Sequence, residues 1–205
     1  MPTLAAVLLA AAPLTTGADL ARSLGQRITV EGVLERVEVM KGQGAWQGTG
    51  IVLDDDTVLY VTYGAPPEGW EPHVGHVIRV EGLLHPSISE RAQSLIAPHL
   101  REPGTPQRQT RKASSAVGQR VHLVGVARDA KGGAVLLVEN EPVYLAGLDA
   151  WPAEAQGKRV AVSGSLTLTQ HLPEAGRDAK GAAAAGAKGK QLVLERPTWR
   201  LVDAP

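Results

Sequence analysis

The chain has 205 residues, 43% hydrophobic and 20% charged, a composition that suits one large or two small soluble domains. Its 21 basic residues balance 21 acidic ones, so the basic excess expected of a polyphosphate-binding protein is missing. It has no cysteine, which excludes disulfides, thiolate zinc sites, a cysteine nucleophile and lipid attachment at cysteine. Phe is also absent and aromatics reach only 3%, so any core must be built from Val, Leu, Ile and Ala. The richness in Ala, Gly, Pro and Arg points to a high-GC bacterial genome.

Residues 1–18 read as a secretory signal. Leu4 to Leu14 is a short apolar run followed by small residues up to Gly17-Ala18, and it is too short to span a bilayer. No Lys or Arg precedes the run, so a helix packed on the first domain of a cytoplasmic protein is the alternative.

Beyond that segment, four blocks recur in one order. Gly25-Gln26-Arg27-Ile28-Thr29-Val30-Glu31-Gly32 returns as Gly118-Gln119-Arg120-Val121-His122-Leu123-Val124-Gly125. Val58-Leu59-Tyr60-Val61 answers Pro142-Val143-Tyr144-Leu145, and Gly75–Leu84 answers Gly157–Leu166. Leu95–Arg101 resembles Leu194–Arg200, with Pro98 and Pro197 at matching places. Each block has the near-alternating, β-branched character of a strand. Gly32 and Gly125 interrupt their strands at the same point, where a bend or bulge is expected. Between the third and fourth strands lie Ala65–Trp70 and Leu148–Glu154, each long enough for a short helix.

The predicted fold is therefore all-β, two tandem five-stranded barrels with a short helix between strands three and four. This arrangement resembles the bacterial OB-fold modules of the tRNA-anticodon-binding type. The resemblance covers Gly25–Arg101 and Val117–Asp203 and implies a fold, not a function, because OB modules host many unrelated partners. The expected domains are a first barrel over 19–101, a polar, Pro-rich exposed linker over 102–116, and a second barrel over 117–205. Residues 171–190 form an Ala/Gly/Lys insertion, read either as a solvated hairpin extension or as a grip on an anionic partner through Arg177, Lys180, Lys188 and Lys190.

Candidate binding residues come from the same reading. The segment Glu38–Gly48 is expected to be a long loop carrying Met40, Lys41 and Trp46, and a Trp on such a loop is typical of an interface anchor. Tyr63 has no counterpart in the second copy and is expected to be exposed. Trp70 and Trp151 occupy equivalent positions and are expected to close the barrel bottoms, with Tyr60 and Tyr144 also structural. Gly25–Leu84 holds nine Asp and Glu against Arg27, Arg36, Lys41 and Arg79, so phosphate would be repelled from the first barrel. The strands around Ile51–Leu53 and Val135–Val138 offer no aromatic platform for bases.

His73-x-x-His76 with Glu71 has metal-ligand spacing, but lacks an equivalent in the second copy and is not expected to bind a metal. Asp54-Asp55-Asp56 reads as a solvated hairpin tip. No motif for a Ser/His/Asp set, a carboxylate pair or a phosphate loop is found, and no cofactor is expected. The expected function is a non-enzymatic, periplasmic or secreted protein-binding module. The alternative is an oligonucleotide-binding protein using the basic linker and insertion.

Overall fold

The computed structural model describes residues 12–41, 44–88, 95–171 and 189–202. Helix α1 (Gly17–Arg22) is followed by strands β1 (Arg27–Lys41), β2 (Gly44–Val52), β3 (Val58–Thr62), β4 (Val77–Ile88), β5 (Leu95–Arg101) and the short β6 (Gln107–Arg108). The second half holds β7 (Arg120–Ala130), β8 (Gly133–Val138), β9 (Glu141–Leu145), β10 (Arg159–Thr169) and β11 (Gln191–Leu201).

The second half is a closed five-stranded barrel in the order β7-β8-β9-β11-β10. Alternation fills it: Val121, Leu123, Leu136, Val143, Val160, Val162, Leu166 and Leu194 all point into one core, which Trp151 also joins. The first half has the corresponding order β1-β2-β3-β5-β4, with β1 also paired to β4 and with β6 added beside β4. Among the described residues β3 and β5 meet at the pair Tyr60↔His99, and the first half is a six-stranded sheet where the second is a closed barrel, so two closed barrels are not what the fold presents. In the second half β11 pairs with β9 through Leu192–Leu194, ahead of Pro197.

A glycine marks the bend of each long first strand. β1 pairs with β4 up to Val33 and with β2 from Val33 onward. β7 passes from β10 to β8 at Val126 in the same way. Gly32 and Gly125 each stand one residue before that exchange. A Cβ on Gly32 would lie 2.6 Å from the Val52 carbonyl oxygen, and one on Gly125 would lie 2.5 Å from that of Leu137. The strand can coil this tightly only because neither residue has a side chain.

The helix expected between strands three and four does not form as such. In the first half it is a three-residue 3-10 turn, Glu71–His73, with Pro72 in its first turn. In the second half Pro152–Gly157 makes successive hydrogen-bonded turns. Gly75 (φ 75°) and Gly157 (φ 76°) end these segments in the left-handed region, which stops helix propagation. Trp70 and Trp151 are both buried, each in the core of its own half. The Trp151 indole N–H donates to the Val135 carbonyl at 2.9 Å.

Residues 12–18 are built into the first half. Leu14 bridges to Val30 and packs on the core, and Leu20 of α1 is buried within it. The Thr16 side chain caps α1, and the Gly17 amide donates to Asp55 at 2.8 Å. Residues 1–11 lie outside the described set. Among the described residues no helix is long and apolar enough to cross a membrane.

Candidate functional site

The loop expected over Glu38–Gly48 is instead a continuation of the β1–β2 ladder, with Val39↔Trp46, Met40↔Ala45 and Lys41↔Gly44 as facing pairs. The sequence lacks bulky alternation there, but the backbone ladder needs none, and Gly44 and Gly48 are no obstacle to strand geometry on a hairpin arm. The side chains of Met40, Lys41 and Trp46 lie outside the described set. So do Arg177, Lys180 and Lys188 entirely. Tyr63 is 40% exposed and packs its ring 5.8 Å from Tyr60 and 5.2 Å, edge-on, from His99. These residues do not form one described cluster.

What the fold does bring together is a cleft of about 710 Å³ between the two halves. Its first wall is Glu35–Glu38 of β1 with Val52, Val58 and Val74, and its second is Ala161 and Ser163 of β10 with Thr198–Val202 along β11 and its end. Beneath it runs a buried polar row. His122 Nε2 donates to Glu35 Oε1 at 2.7 Å, and His122 Nδ1 sits 2.7 Å from Ser163 Oγ. The Ser163 hydroxyl donates to Asp56, Arg120 pairs with the other Asp56 oxygen at 2.5 Å, and Arg200 pairs with Glu35. Glu35, His122 and Ser163 are 3%, 3% and 4% exposed.

Charge there is held by geometry. Burial pushes the His122 imidazole below its ordinary pKa, against the pull of the Asp56 charge and hydrogen bond. Burial raises Asp56, but the Ser163 hydroxyl and the Arg120 guanidinium more than offset that and hold it below the ordinary carboxylate value. A second tie joins the halves nearby: Arg159 donates to the Gly75 carbonyl and to His76 Nε2, the latter at 3.1 Å. A ring nitrogen that accepts from a guanidinium is unprotonated. Burial first, then the charges of Arg159, Arg108 and His73, lower the His76 pKa to about 4.

The Asp54-Asp55-Asp56 turn is not a solvated tip. Asp54 is 7% exposed and pairs with Arg111 at 2.7 Å, Asp55 accepts from the Gly17 and Thr57 amides, and Asp56 reaches Ser163 and Arg120. Each carboxylate points to a different part of the chain and finds its partners there. The linker, though mostly exposed, is anchored as well. Arg108 donates to the Pro72 carbonyl at 3.0 Å, and Ala113 and Ala116 are buried in the second core. Glu71 turns to Arg36 at 2.7 Å and His76 turns to Arg159, so the His73/His76/Glu71 set does not converge. Among the described residues no three His, Asp or Glu side chains form a metal-binding group.

Ser163, His122 and Glu35 have the residue types of a nucleophile relay. They are separated by 41 and 87 residues, which hides them from any local motif. A signal was nevertheless present in the paired blocks. His122 aligns with Thr29 and Ser163 with Glu81 in the paired blocks, so the polar row arises at positions where those blocks differ. Comparison with protein families, with curated proteins and with solved structures returned no match for this chain.

Proposed function

We propose that the chain is a tandem of two OB-like barrels acting as a non-enzymatic protein-binding module, periplasmic or secreted, in the class of envelope assembly factors, inhibitors or toxin-neutralising partners. The corresponding strand order of the two halves supports the OB-like reading. The observation that carries the function is the cleft, whose walls come one from each half and whose rim continues into the β1–β2 arm bearing Met40, Lys41 and Trp46. A composite surface of this kind offers more area than either half alone, toward the roughly 1,600 Å² of a standard protein interface. The non-enzymatic part of the reading rests on the serine. Ser163 is buried and its hydroxyl donates a hydrogen bond to Asp56, so it is engaged in joining the halves. Of the linker cations, Arg111 is paired with Asp54 and Arg108 donates to the Pro72 carbonyl, which favours this reading over oligonucleotide binding through the linker.

Affinity capture from envelope and cytoplasmic fractions, read by mass spectrometry, tests this. The expected result is a stoichiometric protein that is lost with Thr198→Arg in the cleft and weakened with Trp46→Ala on the arm. Recovery of nuclease-sensitive nucleic acid and no protein overturns the reading.

A further inference from the structure

We propose that the outer edge of β11, at Trp199 and Leu201, is a strand-addition site that takes an extended, largely uncharged polypeptide segment of the partner protein into the cleft. This rests on the protein-binding reading above and names how that site works.

Strand geometry locates the edge. β10 contributes Ala161 and Ser163 to the cleft, alternate residues on one face. β11 and its end contribute Thr198, Trp199, Arg200, Leu201 and Val202, five in succession. Successive side chains of a strand point to opposite faces. A space that touches every residue of a run must therefore reach around the strand's edge, and it does so at β11 and not at β10. The run Glu35–Glu38 places an edge of β1 on the opposite wall by the same criterion.

Among the described residues no strand lies beside that edge of β11 beyond Leu194. β11 pairs with β10 from Gln191 to Leu201, but with β9 only through Leu192–Leu194. The Val202 amide donates to the Arg159 carbonyl of the β10 side. Backbone groups on a strand alternate in direction, so Arg200 and Thr198 also face β10, while the N–H and C=O of Trp199 and Leu201 point outward. Among the described residues no other strand receives them. An outward row of donors and acceptors is complementary to one thing above all, another extended backbone.

The lining selects the side chains. Val37, Val52, Val58 and Val74 form the apolar wall, and Leu201 is 39% exposed at the edge. Arg200 and Glu35 already neutralise one another, as do Arg36 and Glu71, and Glu38 is the lining carboxylate without an ion pair among the described residues, which disfavours a strongly acidic ligand. A segment with an apolar residue at alternate positions fits. The volume, about 710 Å³, lies within the roughly 300–1,000 Å³ of ligand-holding clefts.

The experiment is selection of a displayed random-heptapeptide library on the full chain, followed by amide hydrogen exchange and titration with the selected peptides. Expected are peptides with alternating apolar residues that slow exchange at Trp199 and Leu201. Leu201→Pro, which removes one outward N–H while leaving the β10-facing amides in place, should weaken binding at least tenfold. The exchange pattern of the unsubstituted protein decides the matter even where Leu201→Pro lowers stability. Peptides that protect other strands, or no enrichment at all, overturn strand addition. A captured protein partner insensitive to Leu201→Pro but lost with Trp46→Ala would overturn it too, while leaving the protein-binding reading standing.

Discussion

Glu35 is a carboxylate from the first half that satisfies two partners from the second, His122 and Arg200, while itself 3% exposed. Removing Glu35 leaves the buried His122 Nε2–H without its acceptor and the half-exposed Arg200 without its counter-charge. Glu35→Ala is expected to destabilise the protein by about 1–3 kcal/mol, measured by denaturant unfolding. Glu102→Ala is the contrasting substitution. Its pair with Arg27 has side chains 70% and 60% exposed, and solvent-exposed pairs of this kind contribute only about 0–1 kcal/mol. A comparable loss in the two variants would refute the assignment of Glu35 as the tie between halves.

At the scale of elements, the first strand of each half depends on its glycine. Gly125→Ala places a methyl against the Leu137 carbonyl, a backbone atom that cannot rotate away, and about 1–3 kcal/mol of destabilisation is expected. Gly118 meets no atom within 4 Å but has φ 88°, so Gly118→Ala is strained by backbone conformation alone and should cost about 1 kcal/mol. Thermal melts of both variants separate crowding from conformation. The N-terminal segment is a second test. Deleting residues 1–18 removes the Leu14–Val30 bridge, the Thr16 cap and the Gly17–Asp55 bond, and a lower melting temperature is expected than for deletion of residues 1–11.

Over the whole molecule, the two halves are joined by ionisable groups, and their docking must follow pH. His76 and His122 both have pKa values below the ordinary 6.5, His76 at about 4. The unfolded chain then binds more protons than the folded one as pH falls below 6.5, so acid favours unfolding. Asp56 acts in the same direction at lower pH: its lowered pKa contributes stability above the ordinary carboxylate value of 3.8 that is lost as it protonates. The expected outcome is a melting temperature that declines as pH is lowered from about 6.5 toward 4, with a shallower decline in His76→Asn. A flat profile over that window would contradict the interface described here.

Strand positions, the glycine bends, and the burial of Trp70 and Trp151 could be read from sequence, because a strand records its faces as a local alternation and the two copies corroborate one another. The β1–β2 arm was missed because a glycine-rich ladder carries no hydrophobic period, although backbone pairing holds it in register. The difference between the two sheets was missed because closure is a matter of pairing between distant strands, which no local pattern records. The site was the least legible part. Asp56, His122, Ser163, Glu35 and Arg200 are scattered along the chain and have unremarkable neighbours. Their types make sense only once the second half docks on the first and excludes water from the groups between them. Sequence alone determined the alternating strands, because those patterns are local. Tertiary structure decided the cleft and its polar floor, because charge pairing and strand edges are properties of distant segments brought into contact.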